Sequence, residues 1–209
     1  GYGHFEDTAF LSLNRQILQV AGGSWKNPPK KESIYKVREQ FEGTIRDLIN
    51  RKNSSLWGWK DPRTVLTIDL YMPYLNNPHL IICSRNAESI ANSIVKRDKI
   101  DFCEAEKIVS IYLKRIEEFI AENPSLPMIN VFYEDALQSP EMMLENLISF
   151  LNIKVSEETR QKALSVVMTK EKIRRLSSIL KMKERIQYFA RYSYHKIVGN
   201  LEKIKAIFR

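Results

Sequence analysis

Strands alternating with helices along the chain predict an α/β protein, a parallel sheet flanked by helices. Three observations carry that expectation. The run His79 to Cys83 is apolar almost throughout, as a strand covered on both faces should be, and Met128 to Phe132 repeats the pattern. Around these runs apolar residues recur at three- and four-residue spacing, the mark of helices with one buried stripe. The 209 residues are 44% apolar and 28% charged with 7 Gly and 8 Pro, which excludes disordered, collagen-like and low-complexity classes.

From Glu6 to Val20, Phe10, Leu13, Ile17 and Leu18 fall at helical spacing, and Gly22-Gly23 stops the run. A loop with Trp25 and Pro28-Pro29 follows, then one long helix through Ile34, Val37, Phe41, Ile45, Leu48 and Ile49, ended by Asn53-Ser54. Leu56-Trp57-Gly58-Trp59 is short, aromatic and bounded by turn formers, which predicts a strand. A helix from Arg63 to Tyr71 leads to the strand at His79. Helices over Ala87 to Lys96 and Glu104 to Ala121 follow, the second with an inward stripe of Ile108, Ile111, Tyr112, Ile116 and Phe119. Pro124 and Pro127 break it. Met128 to Phe132 is the third buried strand, followed by a turn at Glu134-Asp135 and a helix from Pro140 through Leu151. From Ser156 no strand pattern returns, and Ser156 with Glu157 and Glu158 starts a helical tail expected to run to the end.

Charge divides the chain at the same place. Residues 156–209 hold 14 Lys and Arg against 5 Asp and Glu, while the formal net charge of the whole is +8, so residues 1–155 are close to neutral. The expected organisation is an α/β body over 1–155 and a basic helical region over 156–209. Two cysteines are too few for a disulfide framework, and neither a signal peptide nor a membrane-spanning run is present, which predicts a reduced, cytoplasmic protein. The chain opens on Gly1 and its first Met is Met72, so an upstream portion is expected.

His4, His79 and His195 are scattered, the cysteines are 20 residues apart, and no metal-ligand spacing or G-x-S-x-G occurs, so neither a metal nor a hydrolytic triad is implied. The informative segment is Cys83-Ser84-Arg85-Asn86, at the carboxyl end of a strand where a helix begins. Ligands of open α/β sheets bind there: helix amides are unpaired, the dipole favours anions, and Arg85 offers a planar fork to phosphate oxygens. Ser93, two turns into the helix, can donate to the same anion. A structural account also fits, with Arg85 paired to Glu88, Asn86 as cap and Ser93 as a small packing residue. Lys60 and Arg63 in Trp59-Lys60-Asp61-Pro62-Arg63 make a second anion-facing edge if the strands are parallel neighbours, with Asp61 able to hold one of them or to cap the helix. Tyr133, at the next strand end, can stack on a base or fill core.

Together these segments resemble the sulfotransferase family that uses 3′-phosphoadenosine 5′-phosphosulfate (PAPS) and releases 3′-phosphoadenosine 5′-phosphate (PAP). The likeness covers residues 1 to 153: the opening G-Y…F-E-D with L-N-x-x-I-L, K-D-P-R at Lys60 to Arg63, Arg85 with Ser93 eight residues on, and Y-E-D at Tyr133 to Asp135 with Pro140, Leu144, Phe150 and Leu151 downstream. The resemblance implies a P-loop-like fold, Arg85 and Ser93 on the donor's 3′-phosphate, Arg63 and Tyr133 as further donor-binding residues, Lys60 as the cation near the sulfonate, and Glu6 as the carboxylate base, with Asp7 beside it. It implies sulfuryl transfer to a hydroxyl or amine of a small-molecule or glycan acceptor, without a metal.

Two family elements are missing from the sequence. The G-x-x-R-S-G-T-S type loop that cradles the phosphosulfate would lie immediately before Gly1, so slow or absent transfer is expected of this chain. The late R-K-G type element has no counterpart unless Lys172, Arg174 and Arg175 replace it. The alternative expectation is a degenerate sulfotransferase-like binding module. It would present the basic tail and its aromatics Tyr188, Phe189, Tyr192, Tyr194 and Phe208 to nucleic acid or an anionic membrane surface. In the plainer reading those aromatics pack the tail onto the body.

Overall fold

A computed structural model describes residues 6–52 and 54–178, with the backbone alone for 168–178. The chain is α/β and mostly helical. It divides into two compact units, residues 1–130 and 131–209. The charge break at 155/156 is one of composition; the packing break falls at 130/131.

In the first unit, α1 (Thr8–Val20) starts where the Asp7 carboxylate accepts the Ala9 and Phe10 amides. It ends as Gly22 turns to φ +85 and the Gly23 amide reaches back to the Leu18 carbonyl at 2.9 Å, a left-handed cap that suits glycine. Its stripe of Phe10, Leu13, Ile17 and Leu18 is buried against α3 (Arg38–Asn50) and α4 (Thr64–Tyr71), with α2 (Lys31–Lys36) closing the cluster through Ile34. A 3₁₀ turn at Met72–Tyr74 leads to β1 (Leu80–Ser84). Next come α5 (Ala87–Asp98) and α6 (Phe102–Glu122), packed over a smaller core in which Ala91 and Ala105 let the helices approach closely. In β2 (Met128–Phe132), the residues up to Asn130 belong to this unit.

The sheet contains two strands among the described residues. The Leu80 amide bonds the Pro127 carbonyl at 2.9 Å and Ser84 Oγ faces Asn130 Oδ1 at 3.5 Å, so the pairing advances in the same direction on both strands: they are parallel. The second unit contains α7 (Tyr133–Gln138), α8 (Pro140–Leu151) and α9 (Glu157–Ser178). Pro140 is buried in the first turn of α8, Asn152 caps its end at φ +49, and Arg160 of α9 pairs with Glu145 of α8.

Several expectations are corrected. Leu56–Trp59 is not a strand: Trp57 and Trp59 turn into an aromatic stack with Phe10 and Tyr71, and burying those rings wins over pairing the backbone. The long second helix is two, because Val37 (ψ +2) breaks it between α2 and α3. The turn at Glu134-Asp135 is the first turn of α7, where two acids favourably meet a helix N-terminus. On the strands, Ile81 is 41% and Phe132 47% exposed, so neither strand is covered on both faces. Ile111, expected on the inward stripe of α6, is 38% exposed, and Arg115 lies inward instead. Among the described residues no helix is long and apolar enough to cross a membrane. The opening Gly1-Tyr2, Phe5, His4 and His195, and the aromatics Tyr188, Phe189, Tyr192, Tyr194 and Phe208, lie outside the described residues, as do the side chains of Lys172, Arg174 and Arg175.

Candidate anion-binding site

At the end of β1 the chain passes through Ser84 and an exposed Arg85 into α5. Asn86 is the cap: its Oδ1 accepts the Ser89 amide at 3.0 Å. Ser93 is exposed two turns on. Seven residues of helix rotate by nearly two whole turns, so Ser93 lies almost directly above Asn86, about 10 Å along the axis. Arg85 immediately precedes this cap, and Ser93 lies on the strip of surface that runs from it.

Because Leu56–Trp59 is not a strand, Lys60 and Arg63 do not stand at a strand end. They occupy the turn into α4, and they differ. Lys60 is 54% exposed and its ammonium lies 3.2 Å from Glu6 Oε1, whose side chain is only 16% exposed. Lys60 also acts on Cys83: burial around the sulfur pushes that thiol up while the Lys60 charge opposes the rise, although the residue as a whole keeps an exposed surface. Glu6 and Lys60 form one ion pair.

Arg63 is the more enclosed of the two. Its side chain is 13% exposed, with Nη1 2.7 Å from Asp61 Oδ1, which also accepts the Arg63 main-chain amide at 3.1 Å. Asp61 thus both holds the arginine and caps the segment, the two roles its position allows. Its Oδ2 accepts from Asn14 Nδ2 at 2.9 Å. Asn14 Nδ2 also meets Thr64 Oγ1 at 3.1 Å, while its Oδ1 accepts from Thr67 Oγ1 at 2.7 Å and Tyr71 Oη at 2.8 Å. Thr64 Oγ1 further accepts the Trp59 indole N–H at 2.9 Å. Burial first, then the Asp61 charge, push the Tyr71 phenol far above its ordinary range.

Tyr133 is the first residue of α7, half-buried, and belongs to the second unit. Among the described residues no group of three or more His, Cys, Asp and Glu is placed to hold a metal ion. Sequence reasoning quoted Asn14 within L-N-x-x-I-L without giving it a role, and missed Thr64, Thr67 and Tyr71. The available signal was Asn14 itself, a polar residue inside the stripe Phe10, Leu13, Ile17, Leu18, where a buried amide needs partners. No family model, no curated protein and no solved structure matches the chain.

Proposed function

We propose that this chain binds PAPS on the Arg85–Ser93 strip and belongs to a P-loop-like sulfotransferase fold, serving sulfuryl transfer to the hydroxyl or amine of a small-molecule or glycan acceptor. The observation that supports the reading is the exposed Arg85 at a strand-to-helix junction, with an exposed Ser93 on the line of the helix cap. A guanidinium fork, a hydroxyl and helix amides are complementary to a terminal phosphate. In the transfer, the bond from sulfur to the donor's bridging oxygen breaks as a bond to the acceptor oxygen or nitrogen forms. Glu6 takes the acceptor proton, and Lys60 stabilises the charge that develops on the bridging oxygen. Their pairing at 3.2 Å keeps base and cation together before ligands arrive. Arg63 supplies a further proposed donor contact.

Calorimetric titration with adenosine 3′,5′-bisphosphate tests this reading. Binding by the wild-type chain and a loss of about tenfold or more in Arg85→Ala are expected, in line with removing a charge-assisted contact. No binding at millimolar ligand, or unchanged affinity in Arg85→Ala, rejects it. A second reading is favoured by the charge surplus of residues 156–209: a sulfotransferase-like body presenting a basic helix to nucleic acid or an anionic membrane surface.

A further inference from the structure

We infer that Asp61 is a positioning residue for Arg63, and that Asn14 decides which of its oxygens does the positioning. The inference rests on reading the Lys60–Arg63 segment as part of the donor-anion rim. The Asp61 side chain has no exposed surface, and its oxygens are divided between two tasks: Oδ1 serves Arg63 and Oδ2 serves Asn14. An unclaimed carboxylate meeting a guanidinium commonly takes two parallel N–H bonds, fork to fork. Here Asn14 claims the second oxygen. The Arg63 fork is held by one nitrogen, and its buried Nε–H has no acceptor.

A guanidinium pinned at one end through a buried carboxylate keeps a fixed direction and leaves donors uncommitted, the two properties an anion contact requires. The Asp61 carboxylate fixes which way the Asn14 amide is turned. Turning its amide over would set Oδ1 against the Asp61 carboxylate, two acceptors with no proton between them. Three elements are therefore committed to aiming one side chain: α1 through Asn14, the turn through Asp61, and α4 through Thr64, Thr67 and Tyr71.

A swap separates positioning from mere fastening of the core. In Asn14→Asp/Asp61→Asn the carboxylate moves one place along the network. The acid now at position 14 still accepts from Thr67 and Tyr71, and the amide now at position 61 donates to it while its oxygen still accepts from Arg63. Net charge and volume are kept; the carboxylate that touches Arg63 is replaced by a neutral amide, with the charge one hydrogen bond further away. A near wild-type urea midpoint is expected, together with exchange of the Arg63 Nε–H, read by ¹⁵N NMR, at least about tenfold faster, and bisphosphate binding weakened about tenfold.

A swap variant with wild-type exchange and wild-type affinity overturns the inference. If the swap does not fold, the wild-type chain still decides: a heteronuclear NOE at Arg63 Nε as high as the backbone supports positioning, and a low one rejects it. Should neither form bind the bisphosphate while the NMR contrast holds, the donor reading fails and the positioning role stands.

Discussion

Asp7 performs two jobs with two oxygens. Oδ1 caps α1 and Oδ2 meets Lys52 Nζ at 2.7 Å, with both side chains less than a third exposed. The Lys52 hydrogen bond, against some desolvation and helped by the two cap amides, holds the Asp7 carboxyl below its ordinary range. A depressed folded pKa contributes stability above the unfolded value, about 3.9, and the contribution disappears as pH falls through the folded one. Asp7→Asn keeps the cap and removes the ion pair. Its unfolding free energy is therefore expected to fall less steeply than wild type's below about pH 4, whereas Asp7→Ala also loses the cap, about 1 kcal/mol at pH 7. Urea unfolding across pH reads both. At the alkaline end, burial raises the Tyr71 and Tyr112 phenols, so the stability they contribute is present below about pH 10 and is lost as pH climbs toward their folded values.

The loop from Gly22 to Lys30 is fastened at several points. Tyr112 Oη donates to the Trp25 carbonyl at 3.3 Å, Arg115 donates to the Pro29 carbonyl at 3.2 Å, and Lys26 and Arg97 both lie over the Trp25 ring. At Gly23 a methyl group would sit 2.4 Å from the Asn27 carbonyl oxygen, a backbone atom that cannot step aside. Gly23→Ala is expected to cost about 1–3 kcal/mol. Gly43, in the middle of α3 with nothing near its missing side chain, has the opposite sign, and Gly43→Ala should gain about 0.5–1 kcal/mol. Thermal melts of the two variants check the contrast.

Elements of this kind show what was legible in the sequence. Met128–Phe132 and Pro140–Leu151 were readable to the residue, because apolar continuity and a first-turn proline are local signals. Trp57 and Trp59 misled, since an aromatic pair two residues apart looks the same whether its partner is a strand or a ring stack. At the candidate site the Asn86 cap was legible from its place before the helix, while the enclosure of Arg63 was not. That enclosure depends on Asn14, 47 residues before Asp61, and no local pattern carries such a contact.

At the scale of the whole molecule, charge separates the two functional readings. The surplus of residues 156–209 predicts that, if the basic tail is the working surface, affinity for RNA or anionic vesicles drops steeply between 50 and 200 mM salt, by about 10³ or more for six or more phosphate contacts. Fluorescence anisotropy of labelled RNA reads this, and a flat salt response removes the second reading. The aromatic stack has an optical consequence. Trp57 and Trp59 lie 5.8 Å apart with planes inclined by 21°, close enough for their excited states to mix, and the Trp59 indole N–H is tied through Thr64 and Asn14 to Asp61 and Arg63. Near-ultraviolet circular dichroism is therefore expected to change when this hydrogen-bonded chain is broken, so the protein carries, without any label, a spectroscopic indicator of whether the buried network is intact.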